Sequence, residues 1–283
     1  MMSGVKPVLV TGASTGIGRA TVAELAQHGF HVWATVRSDA DEKALRSAHP
    51  GAVSVLRMDL TDRDSIKAAG EAVSQAGPLH GLVNNAGVAL PGPLEDVPIE
   101  VFRRQVEVNL IAQLAVTQAM LPALRMAKER SGDARIVMIG SIGGRIAGPM
   151  LGGYHSSKFG LVGLSDSLRA ELTPSGIPVV LVEPGAIATP IWSRGRSAGD
   201  EVVRHLTEQA RNRYAEQIAA AQANAARAAE KGLPPERVAR VIREALTVRR
   251  PHPRYLVGPD ARVTAVITRL SLRLARRLVA ARA

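Results

Sequence analysis

Two side chains four residues apart, Tyr154 and Lys158, could together move a proton. At that spacing they share one face of a helix. A free tyrosine has a pKa of about 10, too high for an effective base near neutrality. A neighbouring ammonium favours its phenolate. Ser141, 13 residues before the tyrosine, adds a hydroxyl able to hold a substrate oxygen. Close to the N-terminus, Thr11-Gly12-Ala13-Ser14-Thr15-Gly16-Ile17-Gly18 follows the apolar run Val8-Leu9-Val10 and opens a helical pattern. Strand, glycine turn and helix set main-chain N–H groups and a helix N-terminus against a pyrophosphate. On that reading Gly12 makes the turn tight, Gly16 admits the cofactor and Gly18 lets helix and strand pack closely. The competing reading is an ordinary glycine turn.

The next apolar run ends at Thr35-Val36-Arg37-Ser38, where an acidic reader of a ribose 2′-hydroxyl is expected. Val36 stands there instead, followed by Arg37, whose planar fork suits a 2′-phosphate. NADP is therefore expected in preference to NAD; the alternative is a solvated arginine at a strand end.

These residues must be positioned by alternating elements. Apolar, β-rich runs occur at residues 8–11, 31–36, 53–58, 81–84, 136–139 and 179–182. Helical patterns at residues 19–28, 65–75, 101–126 and 158–172 separate some of them. Such runs imply an α/β fold: one doubly wound, Rossmann-type, mostly parallel sheet with helices on both faces, in a single domain. Residues 1–190 form the dinucleotide-binding and catalytic core of that reading. Residues 191–233, polar and then alanine-rich, would be a helical substrate lid. Residues 234–283 would supply a helix started by Pro234-Pro235, a last strand at Tyr255–Val257 and a basic amphipathic helix from about Asp260.

Further motifs join the first. Asn84-Asn85-Ala86-Gly87 follows the fourth run, Asn109 lies in the long helical pattern, and Pro184-Gly185 ends the sixth run, with Thr189 four residues on. In this order the set resembles the short-chain dehydrogenase/reductase family over roughly residues 5–190. The resemblance implies hydride transfer between a nicotinamide and a carbonyl carbon, with Tyr154 as general acid/base. Ser141 would polarise the substrate oxygen, Lys158 would orient the ribose and lower the tyrosine pKa, and Asn109 would position a relay water. It further implies cofactor contacts from Gly12, Ser14, Thr15, Gly16, Ile17, Gly18 and Arg37. Asp59 would meet the adenine amine and Leu60 its ring, while Asn85, Ala86 and Gly87 line the ribose. Pro184, Gly185, Ile187 and Thr189 would lie by the nicotinamide, as would Tyr154 and Lys158. Without the resemblance, Asp59 reads as a helix cap, His155 as a surface or packing residue, and Ser156 and Ser157 as small residues for close packing. The stretch His31–Arg37 and the long lid are most similar to family members acting on steroids, retinoids or other lipophilic alcohols and ketones. Val88, Leu90, Met150, Ile187, Ile191 and Trp192 would give an apolar pocket, and Arg145, Arg194 and Arg196 could serve a substrate carboxylate.

Composition sets the outer bounds. The 283 residues are 46% hydrophobic, enough for a sizeable core, and only 3% aromatic. With no cysteine there is no disulfide, thiol nucleophile or thiolate metal site. No uninterrupted apolar run reaches 18 residues and no signal peptide is evident, so a cytoplasmic location is expected. Residues 1–200 carry 19 basic and 18 acidic side chains, whereas residues 201–283 carry 17 and 7. The basic end argues weakly for nucleic acid, because Tyr255 is the last 50 residues' only aromatic available for stacking. An apolar stripe of Val263, Val266, Ile267, Leu270, Leu274 and Leu278 runs beside Arg262, Arg269, Arg273 and Arg276. It suits an anionic membrane surface or a partner and is expected to be dispensable for hydride chemistry; packing on its own domain or a sister subunit is the alternative. The family resemblance implies a homo-oligomer, dimer or tetramer. A non-catalytic dinucleotide sensor or scaffold is the competing function.

Overall fold

The computed structural model describes residues 5–270. Seven strands form one parallel sheet: β1 (Lys6–Val10), β2 (Phe30–Val36), β3 (Val53–Arg57), β4 (Gly81–Asn84), β5 (Arg135–Ile139), β6 (Val179–Pro184) and β7 (Arg254–Val257). Their spatial order is β3-β2-β1-β4-β5-β6-β7, so the order reverses between β1 and β4. That reversal opens a crevice at the carboxyl ends of the strands, the usual ligand position in such sheets.

Alternation along the strands builds two cores. Leu9, Leu82, Ile136, Met138 and Leu181 face α3 (Arg63–Ala76), α5 (Ala112–Ser131) and α6 (Gly152–Leu172). Val8, Val10, Val83, Val137 and Val180 face the other way, against α1 (Gly16–Gln27) and α10 (Pro235–Thr247). The apolar runs read as buried on both faces because they are. Pro235 begins α10, where its missing N–H costs nothing.

The periodicity predicts one helix over residues 101–126. The chain instead makes α4 (Ile99–Val106), a five-residue π segment (Glu107–Ile111) and α5, continuous over Ile99–Ser131. By length and composition this stretch could cross a membrane, despite the expectation of no spanning segment. It lies along the sheet, with Val116, Met120, Ala123 and Leu124 fully buried. After β6 come α7 (Ile191–Arg204), α8 (Glu208–Arg213) and α9 (Ala215–Lys231), the helices of the expected lid.

The C-terminal α11 (Pro259–Leu270) leaves most of the expected apolar stripe facing outward and makes one contact that was not expected. It buries Ala261 and Ala265 and leaves Val263, Val266 and Leu270 exposed. The carboxylate of Asp260 also accepts from the Ala186 amide at 2.7 Å, immediately beyond Pro184-Gly185. α11 is therefore tied to the expected nicotinamide loop. Arg273, Leu274, Arg276 and Leu278 lie outside the described residues.

Candidate active site

The glycine loop is a turn that other side chains would spoil. Gly12 and Gly16 have φ of 65° and 56°, and a Cβ on Gly18 would fall 2.2 Å from the Gly12 carbonyl. Gly12 and Gly16 thus give the left-handed turn, and Gly18 the close helix–strand packing. The Thr11 hydroxyl accepts from the amides of Asn85 and Ala86 at 2.9 and 3.0 Å. Asn85 Nδ2 donates back to the Thr11 carbonyl at 2.8 Å. The Asn-Ala-Gly turn is thereby stitched to the glycine loop, and Asn85 does positioning work. No acidic residue occupies the first turn of α1, so its amides face the crevice without a competing carboxylate.

A cavity of about 290 Å³ lies at these strand ends, lined by every cofactor residue expected above except Gly18, together with Ser141. Val88, Leu90, Ile187, Ile191 and Trp192 supply its apolar wall. Met150 is buried in a loop with φ of 66° and is not on that wall. Arg37 is exposed at the end of β2, beside Asp59. The Thr61 amide and hydroxyl donate to Asp59 at 2.9 and 2.8 Å. Chiefly through the Thr61 amide, this network holds the Asp59 carboxyl below its ordinary range. Asp59 does not cap a helix: Asp62 caps α3, accepting from the amides of Asp64 and Ser65.

Tyr154 and Lys158 stand on α6, and Ser141 on the turn after β5. Ser141 lies beside the phenol of Tyr154 and accepts from the Gly143 amide at 3.0 Å. Lys158 is buried, donates to the Ile139 carbonyl at 2.9 Å, and lies 5.9 Å from the centroid of the Tyr154 ring. Burial lowers the lysine from 10.5 to about 8. Burial also raises the Tyr154 phenol, and the nearby Ser141 hydroxyl offsets this only in part. Desolvation of the phenolate, not the lysine 5.9 Å from the ring centroid, is the largest cause of that shift.

Asn109 sits in the π segment. Its Oδ1 accepts from the Val88 amide at 2.8 Å, and its Nδ2 donates to the Val88 carbonyl at 2.9 Å and to Ser157 at 3.1 Å. The side chain fixes the Val88 segment, while Oδ1 keeps a second lone pair able to accept from a water. Ser157 donates in turn to the Tyr154 carbonyl at 2.7 Å, so it ties Asn109 to the tyrosine's own turn. His155, expected as a packing residue, holds the Gly143 carbonyl at 2.9 Å through Nδ1 and so braces the Ser141 turn. Arg145 is bound to the fully buried Glu183 at 2.8 and 2.6 Å and cannot serve a substrate carboxylate. Of the three arginines expected there, Arg194 alone lines the cavity.

Fold and site together define an α/β oxidoreductase with a dinucleotide crevice. The chain belongs to the short chain dehydrogenase family, whose pattern matches residues 6–200. It is 37% identical over 254 residues to the NADPH-dependent 3-dehydrocapnine reductase of Ornithobacterium rhinotracheale, covering 89% of this chain and 87% of that protein. It is 33% identical over 257 residues to human 17-beta-hydroxysteroid dehydrogenase type 1, covering 88% and 76%. A short-chain dehydrogenase from Streptomyces avermitilis superposes with a TM-score of 0.74 at 27% identity, covering 95% of this chain and 97% of that one.

Proposed function

We propose that the protein is an NADP(H)-dependent oxidoreductase that interconverts a secondary alcohol and a ketone, or a primary alcohol and an aldehyde, on a lipophilic small molecule. The carrying observation is that Ser141, Tyr154 and Lys158 open onto the same cavity as the glycine loop and Arg37. The glycine turn and the acid-free start of α1 fit a dinucleotide's pyrophosphate. Gly12, Ser14, Thr15, Gly16, Ile17 and Gly18 would hold its pyrophosphate side. Arg37, Asp59 and Leu60 would hold the adenosine. Asn85, Ala86, Gly87, Lys158, Pro184, Gly185, Ile187 and Thr189 would hold the nicotinamide half. When bound, the nicotinamide supplies or accepts the hydride.

The chain's own residues handle the proton and the oxygen. Ser141 donates a hydrogen bond to the substrate oxygen. Tyr154, whose phenol burial raises above its ordinary range, gives its phenolic proton to that oxygen in the reductive direction. In the oxidative direction the phenolate takes it back, so oxidation strengthens as pH rises. Asn109, through Val88 and Ser157, acts on the shape of the site. The apolar wall and the NADPH-dependent and hydroxysteroid relatives support a lipophilic carbonyl substrate. The test is an NADPH-oxidation screen across ketones, aldehydes and steroids, with NADH in parallel. Binding without turnover throughout would favour the sensor or scaffold reading.

Arg37→Asp is expected to reduce kcat/KM with NADPH by about tenfold to a hundredfold, the size of a charge-assisted hydrogen bond. Activity with NADH should rise relative to it, since a carboxylate accepts from a 2′-hydroxyl. An unchanged ratio of the two would place cofactor choice elsewhere.

A homo-oligomer is supported by the exposed Ile111 and Phe159 on the long helical faces. A cytoplasmic protein touching anionic membrane through α11 is supported by Val263, Val266 and Leu270, 58%, 57% and 80% exposed, beside exposed Arg262 and Arg269. Replacing those three apolar residues with serine should abolish co-sedimentation with anionic liposomes while sparing NADPH affinity. Truncation before Pro259 should weaken both, because it removes Asp260. Absence of liposome binding by the full chain at low salt rejects the membrane contact.

A further inference from the structure

We infer that Arg194, the arginine in the first turn of α7, clamps the pyrophosphate of the bound dinucleotide, so that the root of the substrate lid is part of the cofactor site. The inference rests on the oxidoreductase reading above and adds a residue to it. Arg194 donates to the Thr15 hydroxyl at 3.3 Å, across the mouth of the glycine loop, and lines the same cavity. Thr15 is the residue before α1, and its hydroxyl caps none of that helix's amides. One weak neutral contact leaves most of a guanidinium's five donors unused. Among the described residues no carboxylate pairs with Arg194, and none lies in the first turn of α1. A cation without a partner thus faces a loop whose amides already favour an anion.

The backbone under Arg194 is fixed. Its amide donates to the Pro190 carbonyl at 3.0 Å, and the neighbouring Trp192 Nε1 donates to the Ile187 carbonyl at 2.7 Å. Gly195 is buried against the Ala89 carbonyl, which a Cβ there would meet at 3.0 Å. Thr189, just before the helix, packs on Gly16, 3.1 Å from where a Cβ would lie. The guanidinium is therefore hung over the glycine loop by a bolted hinge. The cavity's other arginines stand elsewhere on its wall: Arg37 at the end of β2 beside Asp59, and Arg104 on α4. Arginine's flat fork matches two phosphate oxygens at once, which a lysine cannot do.

The test measures binding, not turnover, on the full-length chain. Arg194→Ala is titrated with NADPH, NADH, ADP-ribose and 2′-AMP, following Trp192 fluorescence or heat. Affinity for the first three, which share a pyrophosphate, should fall about tenfold, with Arg194→Lys intermediate. Affinity for 2′-AMP, which has none, should hold, which also shows that the variant is folded. Unchanged ADP-ribose affinity overturns the clamp and leaves the oxidoreductase reading standing. An equal loss across all four ligands overturns it too, as a general disturbance. Failure of the unaltered protein to bind any dinucleotide overturns both.

Discussion

Tyr154→Phe is expected to lower turnover by about 10²–10⁴-fold or more while leaving NADPH affinity nearly unchanged. The substitution removes one oxygen from a half-buried ring, and the phenylalanine can keep the ring's place against His155 and the cavity wall. The lost group is the one beside Ser141 and the one whose proton the substrate oxygen takes. The proposed pyrophosphate and ribose contacts lie elsewhere, in the glycine turn and the Asn-Ala-Gly turn stitched to it. The two effects separate cleanly: single-turnover hydride transfer collapses, and equilibrium titration with NADPH does not move. The pH profile gives a second reading. Burial raises the phenol above its usual 10, so reduction should be level through neutrality and fall on the alkaline side. Oxidation should climb over the same range, and residual activity in the variant should lose that slope. Near-normal turnover in Tyr154→Phe would remove the tyrosine from the chemistry.

What the sequence displays and what it conceals divide along chain separation. The glycine turn and the Tyr-x-x-x-Lys pair are local: a few residues set a backbone conformation or a helix face, and the spacing is legible without coordinates. The strands are legible for the same reason, since burial on both faces leaves continuous apolar runs. The ties that hold the site together are not local. Arg145 meets Glu183 across 38 residues, Asn109 meets Ser157 across 48, and Ala186 meets Asp260 across 74. No spacing announces such bonds, because the sheet order that creates them is a property of the whole chain. The same holds for Tyr154 acidity. Its lysine neighbour is legible in the spacing, whereas the desolvation that raises the phenol is decided only by packing. α11 shows a subtler case. Its hydrophobic period picks out the bulky Val263 stripe, yet the helix buries Ala261 and Ala265, because close approach to the body needs small side chains. The π segment at Glu107–Ile111 also has no sequence mark, although it carries Asn109.

Lys158→Met is expected to abolish turnover and, at neutral pH, to make the protein more stable. The lysine is 5% exposed and burial lowers it from 10.5 to about 8. At about 1.4 kcal/mol for each tenfold change in proton affinity, keeping it charged at pH 7 costs about 3 kcal/mol. Methionine fills similar volume without that charge. The substitution also deprives the Ile139 carbonyl of its 2.9 Å donor, which costs about 1–3 kcal/mol if nothing replaces it. The charge term is the larger at its centre, so the net gain should be about 1 kcal/mol. Its dependence on pH identifies the cause. Between pH 8 and 10.5 the unfolded chain still holds the lysine proton and the native chain has released it. Native stability from this group therefore rises with pH across that window. The variant has no such group, so its advantage over the unaltered protein should be largest below pH 8 and shrink, then reverse, towards pH 10. Urea unfolding of both proteins at pH 7, 8.5 and 10, with the difference between them followed, makes the measurement. A difference that stays constant with pH, or a variant less stable at pH 7, would show that the buried ammonium is not the strained element of the site.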